Sequence, residues 1–139
     1  MQSSIQNEDI DLPDDTELWR RIPSDNYKFD DNLGRLRPKS NAFTDSKNKS
    51  PMSVTVVKLY LGGGKTKEEY IAKFMKNDWG LASITVGLIK ELNLEIEFDP
   101  NDDDPGHALV KGKKTGKIKR RMAKESKWEV TPESKNMPD

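Results

Sequence analysis

Cysteine is absent from this 139-residue chain, and histidine occurs once, at position 107. Without thiols the chain forms neither a disulfide nor a thiolate metal site, and a lone imidazole has no second one with which to share a metal ion. Apolar residues are also scarce: 32% of the chain is hydrophobic and 7% aromatic, against 35% charged. That composition supports only a small core. No apolar run approaches the roughly 20 residues that span a bilayer. The opening "MQSSIQNEDIDLPDD" lacks the basic start and apolar centre of a signal peptide. These absences predict a soluble, cytoplasmic, single-domain protein, with no membrane segment and no resident metal or cofactor.

What is present is charge, and it is segregated. The formal net charge is zero, from 24 basic and 24 acidic residues. Residues 1–17 carry six acids and no base, and "EIEFDPNDDD" (95–104) repeats that count. Residues 111–127 hold nine lysines and arginines and one glutamate, Glu125. A chain divided in this way pairs its own poles or offers one of them to a partner.

Patterning predicts a small α+β domain: a few-stranded, mostly antiparallel sheet packed by two central helices and a basic C-terminal helix. Residues 1–14 read as a disordered acidic tail, 15–130 as the domain and 131–139 as a second tail. "TELWRRI" (16–22) reads as a short strand or one helical turn, and 24–51 as a long irregular loop. "MSVTVVKLYL" (52–61), β-branched and bounded by proline and glycine, reads as a strand. Thr66 is placed as the N-cap of a helix with Tyr70, Ile71, Phe74 and Met75 on its inner face. A second helix is expected over Leu81–Leu92. Strands follow at 94–98, 107–110 and 127–130, with a basic helix over 115–126.

Four patterns invite a chemical reading. "GGGKTKEEY" ends like a phosphate-binding P-loop in Gly64, Lys65 and Thr66, but the first glycine that motif requires falls on Leu59, so a plain turn is the better reading. Asp99, Asn101 and Asp103 have calcium-loop spacing, yet Val110 stands where a bidentate glutamate is needed, so an acidic turn is expected. The basic segment suits a phosphate backbone through Lys111, Lys113, Lys114, Lys117, Lys119, Arg120, Arg121 and Lys124. Arg35 and Arg37 join that candidate surface. In the fourth pattern, Arg20 or Arg21 on a first strand, Ser53 on a second and His107 offer an alternative catalytic set. It is similar to ADP-ribosyltransferase-like folds, which bind NAD, with the acidic member open among Glu95, Glu97 and Glu129.

Taken together, "LWRRI", "LGRLRPKSNAF", "MSV", "GLASITVGL" and "HALVKGKKT" resemble an uncharacterised group of small bacterial proteins, over about Leu18 to Trp128. The resemblance implies a domain boundary and no mechanism. The reading that follows is a non-enzymatic binding or interaction protein whose segment 111–127 engages a phosphate-rich partner, nucleic acid, or an acidic protein. An NAD-utilising enzyme, or a subunit of a larger assembly, is the alternative.

Overall fold

In "ELWRRI", Leu18 and Ile22 are fully buried on one side of an extended segment and Trp19 on the other. A strand with apolar cover on both faces belongs inside a sheet. The computed structural model, which describes residues 12–46 and 50–132, places it there. Along the chain run β1 (Glu17–Ile22), β2 (Tyr27–Asp30), β3 (Arg35–Pro38), a 3₁₀ turn (Ser40–Ala42), β4 (Met52–Val56), α1 (Val57–Gly62) and α2 (Lys67–Phe74). They are followed by β5 (Gly80–Thr85), α3 (Val86–Glu91), β6 (Glu95–Phe98), β7 (His107–Lys111), α4 (Gly116–Glu125) and β8 (Lys127–Val130). Six strands form one antiparallel sheet in the order β6-β7-β4-β1-β5-β8, and β2 and β3 form a separate hairpin. This is the expected small α+β domain.

Each face of the sheet carries its own core. On one side Leu18, Ile22, Val54, Ile84 and Ala108 meet Leu88 and Ile89 of α3, Met122 of α4, and Phe43. On the other, Trp19 and Leu81 meet Tyr60 of α1 and Tyr70 of α2. The Trp19–Tyr70 and Tyr60–Tyr70 ring centroids lie 4.9 and 5.1 Å apart, the second pair edge-to-face. That geometry adds to the area the rings bury. A polar chain crosses this second core. Thr55 Oγ1 donates to Asp104 Oδ2 at 2.6 Å, so the Tyr70 hydroxyl, 2.9 Å from the same oxygen, donates to Thr55. Burial holds the Tyr70 phenol above its ordinary pKa.

Three expectations are corrected. Residues 81–92 are not one helix: Gly80–Thr85 is a central strand, and only Val86–Glu91 is helical, with Thr85 Oγ1 accepting from Leu88 N at its start. A strand covered on both faces is apolar at successive positions, which a helical spacing rule reads as its own. Its small residues serve close packing, since a Cβ on Gly80 would stand 2.5 Å from Trp128 Cζ3. The 52–61 strand ends at Val56, where the chain turns into α1. Within 24–51, expected to be irregular, lie the β2–β3 hairpin and the 3₁₀ turn. The tails fall mostly outside the described residues. Of the first, Leu12 is buried and Asp14 pairs with Lys90 at 3.1 Å.

Candidate nucleic-acid interface

The hairpin explains how cations from distant parts of the sequence meet. "YKFD" and "RLRP" alternate, and the register pairs Lys28 with Arg37 and Asp30 with Arg35. Period-2 geometry therefore puts these four charged side chains on one face, and Tyr27, Phe29, Leu36 and Pro38 on the other. The apolar face docks on the domain. Leu36 is buried, the Trp128 indole N–H donates to Leu36 O at 3.0 Å, and the Tyr27 hydroxyl donates to Asp78 O at 2.7 Å. Asp30 shapes the turn, accepting from Asn32 N at 2.9 Å and Leu33 N at 3.1 Å, and it pairs with Arg37 at 2.6 Å. The Leu33 N–H first, then that of Asn32 and the Arg37 guanidinium, hold its carboxyl below the ordinary carboxylate range. Gly34 closes the turn at φ +68°, in the left-handed region that glycine enters without strain.

Helix α4 supplies the facing wall. Thr115 caps it, accepting from Ile118 N at 3.2 Å, and Met122 and Ala123 bury its inner side. Between α4 and the hairpin lies a cleft of about 780 Å³. Six cations line it: Lys28, Arg35, Arg37, Lys39, Arg120 and Lys124. Asp30, already paired with Arg37, is the one carboxylate in the lining among the described residues. Its neutral part includes Ser40, Asn41, Ser126 and Trp128. A second groove of about 500 Å³ lies between α4 and the end of α3, lined in part by Leu92, Ile118 and Lys117. Arg120 and Lys124 border both grooves.

The structure sorts the cations singled out in the sequence. Arg35, Arg37, Arg120 and Lys124 converge on the cleft. Lys111 pairs with Glu97 at 3.3 Å on the sheet, away from it. The Lys114 side chain is 2% exposed and locked to Asp45 at 2.7 Å. Arg121 is held by Glu91 and, at 3.1 Å, by Glu125, and these carboxylates, Glu91 first, raise its pKa. Lys113, Lys117 and Lys119 make no ion pair with a described residue; Lys117 borders the second groove. Lys28 and Lys39 are additions. The alternation of charge in the two hairpin strands is the signal that would have found Lys28.

The alternative catalytic set divides at its arginines, Arg20 and Arg21 lying on opposite faces of the sheet. The Arg20 guanidinium donates to three backbone carbonyls: Ala42 O at 2.9 Å, Ser53 O at 2.8 Å and Thr44 O at 3.4 Å. Burial lowers its pKa to about 10, so it remains a cation at neutral pH, enclosed by the negative ends of carbonyl dipoles. Ser53 meets it through its carbonyl rather than its hydroxyl. Arg21, next along β1, points to the opposite face, its guanidinium 5.0 Å from the Phe74 ring centre. His107 stands two strands from β1 with Nδ1 3.0 Å from Asp99 O and 3.1 Å from Asp99 Oδ2, an arrangement in which Nδ1–H donates and closes the acidic turn. Of the candidate acids, Glu129 accepts from Ser83 Oγ at 3.3 Å, and Glu95 and Glu97 lie on the edge strand β6.

The other two patterns resolve into local structure. Gly62–Gly64 joins α1 to α2, so no strand precedes it as a P-loop requires. Thr66 forms a capping box with Glu69, accepting from Glu69 N while its own N–H donates to Glu69 Oε1. In the acidic turn Asn101 Oδ1 accepts from Asp103 N and Asp104 N, Asp103 pairs with Lys73 at 2.7 Å, and Asp104 Oδ1 accepts from Gly106 N. Gly106 has no substitute there, because a Cβ would stand 2.4 Å from Val56 O.

Comparison of the chain with protein-family models, with curated proteins and with solved structures finds no match.

Proposed function

We propose that this is a nucleic-acid-binding protein without catalytic activity, and that the cleft between the β2–β3 hairpin and α4 receives the phosphate backbone. One observation carries the reading. In a chain of zero net charge, the described residues line the cleft with six cations against one carboxylate. Five of the six, Lys28, Arg35, Lys39, Arg120 and Lys124, make no ion pair with a described residue, Lys39 donating to the Asp25 carbonyl at 3.0 Å. Pairing with protein carboxylates is what removes most surface charge runs from consideration, and it accounts here for Lys111, Lys114 and Arg121. All the cleft cations but Arg37 lack that account. Arginine forks and lysine point charges on two facing walls suit an anionic chain laid between them. The proposal keeps a cytoplasmic setting and the resemblance to small bacterial proteins, one segment of which, "GRLRPKSNA", supplies Arg35, Arg37, Lys39, Ser40 and Asn41 to the cleft.

The test is fluorescence anisotropy with labelled oligonucleotides across a salt series, on the natural chain and on a variant carrying Lys28→Gln, Arg35→Gln, Arg120→Gln and Lys124→Gln. Binding that weakens linearly in log–log salt coordinates, with a shallower slope in the variant, supports the cleft. Unchanged binding in the variant moves the interface elsewhere. Absence of binding at low salt, with capture of an acidic peptide instead, makes the partner a protein.

A further inference from the structure

Resting on that reading, we infer that the nucleic acid the cleft takes is single-stranded, with its phosphates on the cations of the hairpin and α4 and its bases turned to the uncharged part of the lining. The shape of the charge is the first ground. The cations stand on two elements facing each other across a concave space, Lys28, Arg35 and Arg37 on the hairpin and Arg120 and Lys124 on α4. A duplex carries its phosphates on a convex exterior and needs a broad surface or a single element entering a groove. A cleft of about 780 Å³ is the size that encloses a small ligand or a short run of one strand.

The uncharged part of the lining is the second ground. A site that held phosphates alone would be cationic throughout. This one includes Ser40, Asn41, Ala123, Ser126 and Trp128 among its lining residues. Ser126 Oγ is used internally, donating to Ala123 O at 2.8 Å. The Ser40 hydroxyl and the Asn41 amide make no side-chain hydrogen bond with a described residue, so their donors and acceptors are available. An amide and a hydroxyl are the groups that read the edges of unpaired bases, and an indole is a surface on which one base stacks. Trp128 is half-buried and fixed by its N–H bond to Leu36 O, with the Tyr27 ring edge-on at 6.3 Å. The ring is therefore oriented before a ligand arrives. Leu33, 54% exposed on the hairpin turn, gives the rim an apolar group in place of a further charge.

The experiment compares three probes of matched phosphate number at one salt concentration: a mixed-sequence single strand, a hairpin duplex and inorganic polyphosphate. Binding is read by anisotropy competition and by quenching of tryptophan emission. The inference expects the single strand to bind at least 10-fold tighter than either other probe, and to quench emission as it binds. It also expects Ser40→Ala with Asn41→Ala to shrink the preference over polyphosphate while leaving the salt slope unchanged, since neither residue touches phosphate. These two residues lie at the surface and outside the core, so the variant retains its fold, checked by its unfolding midpoint. Equal binding of polyphosphate overturns the reading of bases by the uncharged lining. Tighter binding of the duplex overturns the inference and leaves the proposed function standing. Failure of all three probes to bind removes both.

Discussion

Arg20 and Arg120 carry the same guanidinium into opposite surroundings. Arg20 lies inside β1 and donates to carbonyls of the 3₁₀ turn (Ala42), of the segment after it (Thr44) and of β4 (Ser53). Arg120 stands exposed on α4, between two grooves, with no carboxylate of the described residues paired to it. The first cation is part of the fold, since removing it strands buried acceptors. The second contributes nothing that the fold requires. The same division runs through the basic segment. Lys114 is sealed against Asp45, while Lys124, one helix length away, faces open space. Counting cations along a sequence merges the two kinds, and only the location of their partners separates them.

Substitutions that exchange the two behaviours break or sharpen this contrast. The largest effect belongs to Arg20→Met, which leaves the Ala42, Ser53 and Thr44 carbonyls without their donor. Hydrogen bonds to charged groups contribute about 1.5–3 kcal/mol each, and their losses overlap here, so the variant is expected to lose about 3 kcal/mol in urea unfolding. Oligonucleotide affinity per folded molecule should be retained; a parallel loss would place Arg20 in the binding site. Next comes the four-site glutamine variant of the cleft. If each cation neutralises one phosphate of a single strand, the salt slope falls by about 2.8, at about 0.7 per contact. Its unfolding free energy should stay within about 0.5 kcal/mol of the natural chain, as for exposed sites in general.

How much of this was visible in the residues depends on where the signal lay. Caps and edge alternation are local, so Thr66, the basic helix and the strands at 95–98 and 107–111 were legible. The central strand β5 was not. Its cover on both faces comes from α1, α2 and α3, and local spacing cannot distinguish it from a buried helix. The hairpin was hidden for another reason: its strands are four residues long, and only their pairing makes the alternation meaningful. Half of the cleft was therefore legible as a basic helix, and the other half only once β2 and β3 were paired.

Smaller effects sharpen the contrast further. Lys111→Gln and Lys113→Gln lie in the basic segment but outside the cleft, and together should change affinity less than about 3-fold, measured by the same anisotropy series. A comparable loss to that of the cleft variant would return the interface to the whole segment. The smallest effect concerns pH. The Asp30 carboxyl is held below its ordinary value of 3.8 in the folded chain, so it binds its proton less readily than in the unfolded chain. Its contribution to the hairpin turn is present above that ordinary value and is lost as pH falls through the lowered one. A side-chain carbonyl NMR titration should place its midpoint below 3.8, and a midpoint at or above that value removes Asp30 from this role.

The strand order has a kinetic consequence. β6, with Glu95 and Glu97, and the acidic turn after it occupy one edge of the sheet, while β8 and the cleft beside Trp128 occupy the other. Five strand spacings separate the edges, about 24 Å. If the cleft receives a polyanion as proposed, a molecule with no net charge but separated poles is turned by it before contact, cleft forward. The encounter rate is expected to fall with ionic strength although the chain's charges sum to zero, because orientation and not overall attraction is what salt screens away.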